Sequence, residues 1–229
     1  MLEKIKVIAF DIDGTLYPSF SLYRRLVFYV LKNFRFYIHF GKVRRVMHRT
    51  APLPGFGFYE YQGRLLAHEL DCSVEESRKK IRDIVYDGLK PYFKDVPTFK
   101  DVELCFKSFR EAGFRLALLS DFPPDQKGEL WGLKPYCECI LGSEEIGALK
   151  PSKYPFGILA MTMGVSADEI LYVGNSTKYD VIGAKNAGMM TALLCPRVKA
   201  FFKKIFKSGK NSADINFSTY RQLMKIVLN

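Results

Sequence analysis

The stretch IKVIAFDIDGTLY, residues 5–17, joins a short apolar run to two aspartates and a glycine. Such a run, bounded by turn residues, is typical of a strand that is buried on both faces of a sheet. Asp11 and Asp13 stand two residues apart, so both side chains can project to the same side just beyond the strand end. Gly14 allows a sharp turn there, and the Thr15 hydroxyl with the exposed backbone N–H groups can hold an oxyanion.

The same kind of apolar run recurs in the second half of the chain. Helical patterns stand between the runs, for example TFKDVELCFKSFREAG, which ends in a glycine. Alternating strands and helices predict an α/β fold with a Rossmann-like parallel sheet, in three layers, with helices on both faces. The predicted strands after the first lie at residues 114–119, 137–142, 169–174, 190–195 and, more weakly, 213–218.

The segment 17–93 interrupts that alternation, because it offers helix-period patterns and no convincing strand. It predicts a helical insertion after the first strand. Its first helix, residues 21–49, would carry five basic residues along one stripe. The aromatic-rich stretch 27–40 is broken by charged residues, so it does not indicate a membrane span, although it could lie on a membrane surface. The basic residues of the stripe are Arg25, Lys32, Arg35, Lys42 and Arg49.

The net charge of +11 is unevenly distributed. No acidic residue lies between Asp13 and Glu60, and a second acid-free basic run covers residues 197–210. Such patches attract phosphorylated metabolites, nucleic acid or acidic lipid head groups, while a solvated helix face is the plainer interpretation. No nucleic-acid recognition motif is visible, so we expect no nucleic-acid partner.

The five cysteines are odd in number and too scattered for a disulfide framework or a zinc pattern. With no export signal at the start of the sequence, a reducing cytoplasm is the expected location. Cys137 and Cys139 are predicted to face the same side of one strand. Two cysteines without further ligands are typical of core packing, so they are assigned no chemistry.

Polar residues follow the other predicted strands as well. Ser120 ends the second strand and offers a hydroxyl donor for a phosphate oxygen, and Lys150 follows the third strand as a fixed cation. Asn175 ends the fourth strand, with Asp180 five residues further on. Taken alone, Asp180 could merely cap the helix that follows it. Four strand ends that carry such groups together indicate phosphate chemistry.

Four motifs in a fixed order carry a family resemblance. Through them the chain resembles the haloacid dehalogenase-like hydrolases. The match covers residues 1–16 and 94–229 as the catalytic core, and the helical insertion at 17–93 is placed like that family's cap domain. The motifs are FDIDGTL, LLSD, LKP and VGNSTKYDVIGAKNAGM.

This resemblance implies a magnesium-dependent phosphomonoester hydrolase that acts on a small phosphorylated metabolite. Asp11 would be the nucleophile that forms an aspartyl-phosphate. Asp13 would protonate the leaving oxygen and later activate water. Ser120 and Lys150 would hold the phosphoryl oxygens, and Mg²⁺ would bridge Asp11 to the substrate. Phosphoglycolate, a sugar phosphate and a nucleoside monophosphate all remain open as substrates.

The chain departs from the family pattern at two positions. Asn175 stands where most relatives have a magnesium-binding aspartate, and it keeps a ligating oxygen without the charge. With Asp11, the Asp13 carbonyl and Asp180 as the other candidate ligands, we expect a usable but weaker metal site. Asp121 replaces a more usual asparagine and adds negative charge near the phosphate.

Two alternative functions follow from these departures. The dehalogenase branch of the family works without metal and uses asparagine near this position, but it generally lacks the second aspartate that Asp13 supplies. The other alternative is a catalytically weak binding protein whose basic insertion holds an anionic partner or a membrane surface. A Ser-His-Asp triad is not expected, because His39, His48 and His68 all lie in the insertion, where we interpret them as structural or surface groups.

Overall fold

The computed structural model of the protein describes residues 2–195 and 213–229. Its strands are β1 (Val7–Phe10), β2 (Arg115–Ser120), β3 (Cys137–Gly142), β4 (Ile170–Gly174), β5 (Met190–Leu194) and β6 (Ile215–Phe217). They form one parallel six-stranded sheet in the order β3-β2-β1-β4-β5-β6. Each apolar run that predicts a strand forms one, and the Rossmann-like α/β fold is confirmed.

The described helices alternate with these strands after a long helical segment. Between β1 and β2 lie α1 (Ser19–Lys32), α2 (Phe34–Met47), α3 (Gly57–Leu70), α4 (Val74–Ile81), α5 (Lys90–Phe93) and α6 (Val102–Glu111). The later helices are α7 (Ser143–Ile146), α8 (Lys153–Met163), α9 (Ile182–Asn186) and α10 (Tyr220–Leu228). Two π-helical turns cover Arg82–Tyr86 and Thr177–Val181, and 3-10 turns cover Leu2–Lys4, Pro124–Lys127, Leu130–Gly132, Lys134–Tyr136 and Ala167–Glu169.

The strand order reverses at β1, which pairs with β2 on one side and with β4 on the other. The chain builds the sheet outward from β1 to β3 and then crosses to the opposite side for β4 to β6. A crevice forms at such a reversal, outside the carboxyl ends of the strands. Asp11 follows β1 directly and therefore stands at this point.

Both faces of the sheet are buried, which explains why the strands are continuously apolar. On one face Phe10 stacks on Phe106 of α6, with 4.6 Å between ring centroids. On the other face Ala9 packs in a core that includes Phe156 of α8. The sheet thus fixes the strand ends, and with them the side chains that follow.

A β-bulge in β3 overturns one prediction. Cys137 pairs with Leu116 of β2, but Cys139 pairs with the next residue, Ala117. Two residues of β3 therefore occupy the length of one residue of β2. The bulge breaks the normal alternation, so Cys137 and Cys139 point to opposite faces of the sheet. Cys137 packs against one core and Cys139 lies in the other, so the prediction that they face the same side was wrong.

The helical segment between β1 and α6 contains no strand in its described residues. The prediction of a single helix over residues 21–49 was wrong, because the helix breaks at Asn33 (φ −110°, ψ 23°) into α1 and α2. The side chain of Asn33 donates to the backbone oxygen of Tyr29 at 3.0 Å. Such a side-chain hydrogen bond competes with the backbone hydrogen bonds of the helix, which is why asparagine favours helix ends. The predicted basic stripe is therefore divided between two helices.

The helices of this segment pack in two directions. Phe40 of α2, Phe58 of α3 and Ile81 of α4 share a hydrophobic core that also includes Leu149, next to Lys150. Leu22 and Leu26 of α1 instead join the core beneath the sheet. No helix within the described ranges is long and apolar enough to span a membrane. The predicted basic run at residues 197–210 lies outside the described residues.

Candidate active site

The strand ends of the sheet bring all the predicted site residues together at one edge. Asp11 follows β1, and its backbone N–H donates to the oxygen of Val173 in β4 at 2.9 Å, so it continues the ladder of the sheet. Ser120 is the last residue of β2. Lys150 lies in the loop between α7 and α8, and Asp180 lies in the π-helical turn after β4.

Asp11 has a buried carboxylate with a partner on each oxygen. Its Oδ1 accepts from Lys150 Nζ at 2.6 Å, and its Oδ2 accepts from the Thr15 hydroxyl at 2.7 Å. Burial raises the pKa of Asp11 to about 7, and the charge of Lys150 offsets only part of that rise. These two partners fix the orientation of the carboxylate.

Lys150 is buried between two carboxylates. Its Nζ donates to Asp11 and, at 2.8 Å, to Oδ1 of Asp180. Burial alone would lower the pKa of Lys150, but the charges of Asp11 and Asp180 outweigh it and hold the pKa well above its usual value. The ammonium group therefore stays charged inside the site.

Asp180 has both carboxylate oxygens engaged. Oδ1 accepts from Lys150, and Oδ2 accepts from the backbone N–H groups of Asn175 at 3.1 Å and Ser176 at 2.9 Å. Asp180 therefore caps the turn that precedes it, not the helix that follows, and it orients the lysine of the site. Its role as a metal ligand stays a prediction.

The Asp13 carboxylate accepts hydrogen bonds from a different set of donors than the Asp11 carboxylate. Tyr17 donates to Oδ1 at 2.6 Å, while Ser120 Oγ and Lys127 Nζ approach Oδ2 at 2.9 and 3.1 Å. Burial alone would raise the pKa of Asp13, but the charge of Lys127 and the hydrogen bonds outweigh it and lower the pKa below its ordinary value. The carboxylate form of Asp13 is therefore favoured.

Lys127 is a site residue that the sequence reasoning missed. Its side chain has no exposed surface, and its Nζ lies 3.2 Å from Ser120 Oγ. The rings of Phe93 and Phe122 lie 5.7 and 5.8 Å from the ammonium group. The short segment PPDQKG resembles an exposed turn, and its only local signal is the distance of seven residues from Ser120.

The turn after Asp13 requires glycine for two reasons. Gly14 has a φ of +82°, and a Cβ at this position would lie 2.0 Å from Nδ2 of Asn175. The turn is also held from outside, because the Tyr220 hydroxyl of α10 donates to the backbone oxygen of Thr15 at 2.7 Å. Gly14 and Thr15 thus lie in a fixed turn beside Asp11.

His48 and Asp121 hold the backbone of the Lys150 loop. Nδ1 of His48 in the helical segment donates to the Lys150 carbonyl oxygen at 2.6 Å, and the ring stacks on Tyr179 with centroids 4.5 Å apart. Asp121 Oδ1 accepts from the Lys150 backbone N–H at 3.0 Å. Burial lowers the pKa of His48. The extra carboxylate at position 121 therefore has a positioning contact that the sequence did not reveal.

A buried ion pair joins the helical segment to the sheet domain. Arg44 of α2 donates to Oε1 of Glu144 in α7, and Tyr86 donates to Oε2 of Glu144 at 2.6 Å. The Arg44 side chain is 11% exposed and the Glu144 side chain 0%. Burial alone would lower the pKa of Arg44, but the charge of Glu144 outweighs it and raises the pKa.

The oxygens around Asn175 can be tested for their fit to a divalent cation. Across residues 2–195 and 213–229, no three His, Cys, Asp or Glu side chains are grouped to hold a metal ion. Nδ2 of Asn175 lies 3.2 Å from the Asp13 backbone oxygen. If the amide turned by half a rotation, its oxygen would take that place, and adjacent octahedral ligands of Mg²⁺ at about 2.1 Å are about 3 Å apart. The Asn175 amide and the Asp13 backbone oxygen therefore have the spacing of two neighbouring ligands of such an ion, and the carboxylate that could join them is that of Asp11, two residues before Asp13 in sequence.

Several known proteins resemble the chain in sequence or in fold. The chain is 28% identical over 199 residues to the glyceraldehyde 3-phosphate phosphatase of Methanopyrus kandleri, across 82% of each chain. A HAD phosphatase from Thermococcus onnurineus has a similar fold (TM-score 0.63, 21% identity, 97% of this chain and 98% of that one). So does the L-2-haloacid dehalogenase from Xanthobacter autotrophicus (TM-score 0.66, 17% identity, 98% and 99%).

The match to a family model confirms the resemblance drawn from the four motifs. The model describes a haloacid dehalogenase-like hydrolase and matches residues 5–188. That range contains all the predicted site residues and Lys127, whereas Tyr220, which holds the Gly14 turn from outside, lies beyond it. The chain therefore belongs to the haloacid dehalogenase-like hydrolases.

Proposed function

We propose that the protein is a phosphomonoester hydrolase that works through an aspartyl-phosphate at Asp11. The observation that carries this proposal is the buried Asp11 carboxylate at the strand reversal, held by Lys150 and Thr15. A second acid with its own donors, Asp13, stands two residues away. The relative from Methanopyrus kandleri, which by its name acts on a phosphate ester, supports the same reaction class.

In the first step an oxygen of Asp11 attacks phosphorus, and the bond from phosphorus to the leaving oxygen breaks. Asp13 gives its proton to that oxygen. For Asp13 to hold a proton, Ser120 and Lys127 must turn from it to the phosphoryl oxygens, where they and Lys150 offset the developing charge.

In the second step water attacks the phosphorus of the aspartyl-phosphate, and the bond to the Asp11 oxygen breaks. Asp13, now a carboxylate, accepts a proton from the water. The donors that surround Asp13 stabilise the carboxylate form that this step uses. Inorganic phosphate and the free Asp11 carboxylate are the products.

Mg²⁺ is the cation that we assign to this site. The Asp11 carboxylate, the Asp13 backbone oxygen and the Asn175 amide oxygen would hold it, whereas Asp180 is occupied by Lys150 and backbone N–H groups. The ion supplies positive charge that offsets the negative charge of the phosphoryl group. Asn175 contributes no charge of its own, so binding is expected to be weaker than with an aspartate.

Dehalogenation explains the site less well, although a dehalogenase shares the fold. A halide leaves without needing a proton, so that reaction has no use for Asp13. Here Asp13 stands two residues from Asp11 and is held by three donors, a placement that proton transfer to and from an oxygen would use. Phosphate ester hydrolysis uses the group in both steps.

The division into a core of residues 1–16 and 94–229 and a cap of residues 17–93 is part of the proposal. Two contacts support it. His48 of the helical segment holds the carbonyl oxygen of Lys150, and Leu22 and Phe93 line a pocket beside Asp13. A cap in this position would shield the reacting atoms from bulk water and select the substrate.

The decisive experiment is hydrolysis of an aryl phosphate by the wild-type protein and by Asp11→Asn. We expect the variant to lose activity by a factor on the order of 10³ or more, because the nucleophile is removed. Asp168→Asn is the matched control, since its side chain is 60% exposed on the surface. Wild-type rates in purified Asp11→Asn would remove Asp11 from its role.

A further inference from the structure

A pocket of about 510 Å³ opens beside Asp13, and Asp11 is not among its lining residues. Its walls come mainly from α1 and from the segment that ends the insertion. The apolar side chains that line its inner part are Leu22, Leu26, Val30, Phe93 and Phe122. Because Asp13 is the group assigned to the leaving oxygen, this pocket lies where the alcohol part of the substrate would be held.

Three polar side chains of the pocket lining, those of Tyr17, Tyr37 and Gln126, are already engaged within the protein, and the hydroxyls of Ser19 and Tyr23 are the other neutral polar groups of the lining. The Tyr17 hydroxyl donates to Asp13 at 2.6 Å. Tyr37 and Gln126 donate to backbone oxygens at 3.4 and 3.3 Å. No arginine or lysine is among the described residues that line the pocket. A sugar or a carboxylate placed here would lose its water and could gain hydrogen bonds from only the two hydroxyls of Ser19 and Tyr23, which is costly.

We infer that the substrate is the phosphate ester of an apolar alcohol, with its phosphate at Asp11 and its hydrocarbon part in the pocket beside Asp13. This inference rests on the proposed function and narrows its substrate class. Pockets of this volume hold ligands of drug size and bind them mainly through apolar lining, with few polar groups to orient them. Phosphoglycolate and sugar phosphates, left open by the sequence, do not match this lining.

The outer rim of the pocket continues the apolar surface. Tyr23, Val27 and Leu31 line it and are 65%, 46% and 61% exposed. Phe28, on the same helix, is 81% exposed. A hydrocarbon chain longer than the pocket would therefore meet further apolar side chains instead of a closed wall or a charged one.

The test is a series of straight-chain alkyl phosphates from ethyl to octyl, compared by kcat/KM at fixed magnesium and pH. Each methylene that is fully buried contributes about 0.8 kcal/mol, or about fourfold in kcat/KM. We expect kcat/KM to rise with chain length, by at most about fourfold per methylene, until the pocket is full, and to rise less steeply for chains that reach the exposed rim. 2-Phosphoglycolate and glucose 6-phosphate should fall below butyl phosphate.

A matched pair of variants tests whether the dependence of kcat/KM on chain length arises in the pocket. Leu26→Asn places an amide in the wall and should flatten the dependence of kcat/KM on chain length. Leu104→Asn makes the same change on α6, at a side chain that is 46% exposed and outside the pocket, and should preserve the dependence. If Leu26→Asn does not fold, Val27→Asn at the rim replaces it.

The outcomes separate this inference from the function on which it rests. Hydrolysis of all esters with no dependence on chain length would overturn the apolar substrate and leave the phosphatase intact. A dependence that survives in Leu26→Asn and Val27→Asn would place the alcohol elsewhere and overturn the inference too. Failure to hydrolyse any ester would overturn the proposed function, and this inference with it.

Discussion

At the scale of single residues, Asn175 sets the charge of the candidate metal site. Its amide lies 3.2 Å from the Asp13 backbone oxygen and next to the Gly14 turn. Only Asp11 contributes a carboxylate to this group of oxygens. A hard cation is held more tightly as carboxylates are added. A carboxylate in place of the Asn175 amide should therefore strengthen metal binding.

We predict that Asn175→Asp lowers the magnesium concentration needed for half-maximal phosphatase activity by about tenfold, because one further charge faces the ion. The measurement is a magnesium titration of aryl phosphate hydrolysis by both proteins. Asn186→Asp at the end of α9 serves as the control for added charge. An unchanged magnesium requirement would place the ion away from position 175.

The site residues differ in how readily their sequence reveals them. Asp11, Ser120, Lys150 and Asp180 each follow a strand that can be recognised by its apolar run, so their convergence was predictable. Lys127 was not predictable, because its position depends on how a turn folds back over Ser120. Lysine is rarely buried without a partner, and that partner, Asp13, is far away in sequence.

At the scale of elements, one aspartate stabilises the edge strand β6 against β5. Asp214, just before β6, accepts from the backbone and hydroxyl of Thr191 in β5 at 2.8 and 2.7 Å, and from Lys185 Nζ at 2.9 Å. Burial alone would raise the pKa of Asp214, but these hydrogen bonds outweigh it and lower the pKa. The short strand β6 is therefore held by side chains as well as by its ladder.

We predict that Asp214→Asn lowers the free energy of unfolding by about 1–2 kcal/mol at pH 7, because charged hydrogen bonds are lost. Since the folded pKa lies below the unfolded value of about 3.9, the stabilisation is present above that pH and is lost as the pH falls through the folded value. Urea unfolding at pH 7 and pH 3 measures it. Asp83→Asn, with a side chain 52% exposed, is the control. A difference that is as large at pH 3 as at pH 7 would contradict the role of the charge, because pH 3 lies below the unfolded pKa.

Element types were easier to predict than their breaks. The apolar runs fixed all the described strands, because a buried strand in a parallel sheet needs apolar residues on both faces. The break at Asn33 and the bulge in β3 were missed, since each depends on local hydrogen bonding or register that periodicity does not reveal. As a result, one helix was predicted where the structure has two, and Cys137 and Cys139 were wrongly predicted to face the same side of the sheet.

At the scale of the whole molecule, the Arg44–Glu144 pair links the helical segment to the sheet domain. The two groups are 100 residues apart in sequence, and no pattern of spacing predicts that they meet. Removing one partner of a buried pair leaves the other charge without compensation, whereas removing both is far less costly.

We predict that Arg44→Met lowers the free energy of unfolding by about 3–5 kcal/mol, and that adding Glu144→Gln restores most of it. Urea unfolding of the two single variants and the double variant measures the coupling. Arg64→Met with Glu60→Gln is the matched control, because these side chains form an exposed pair with 68% and 38% exposure. Independent, additive effects at Arg44 and Glu144 would contradict the linkage.

The Arg44–Glu144 pair also bears on how the helical segment can move. Two charges buried against each other resist gradual separation, because a partial gap exposes neither of them to water. Displacement of the segment must hydrate both groups together. Any displacement of the segment is therefore opposed by the free energy that separating this pair requires.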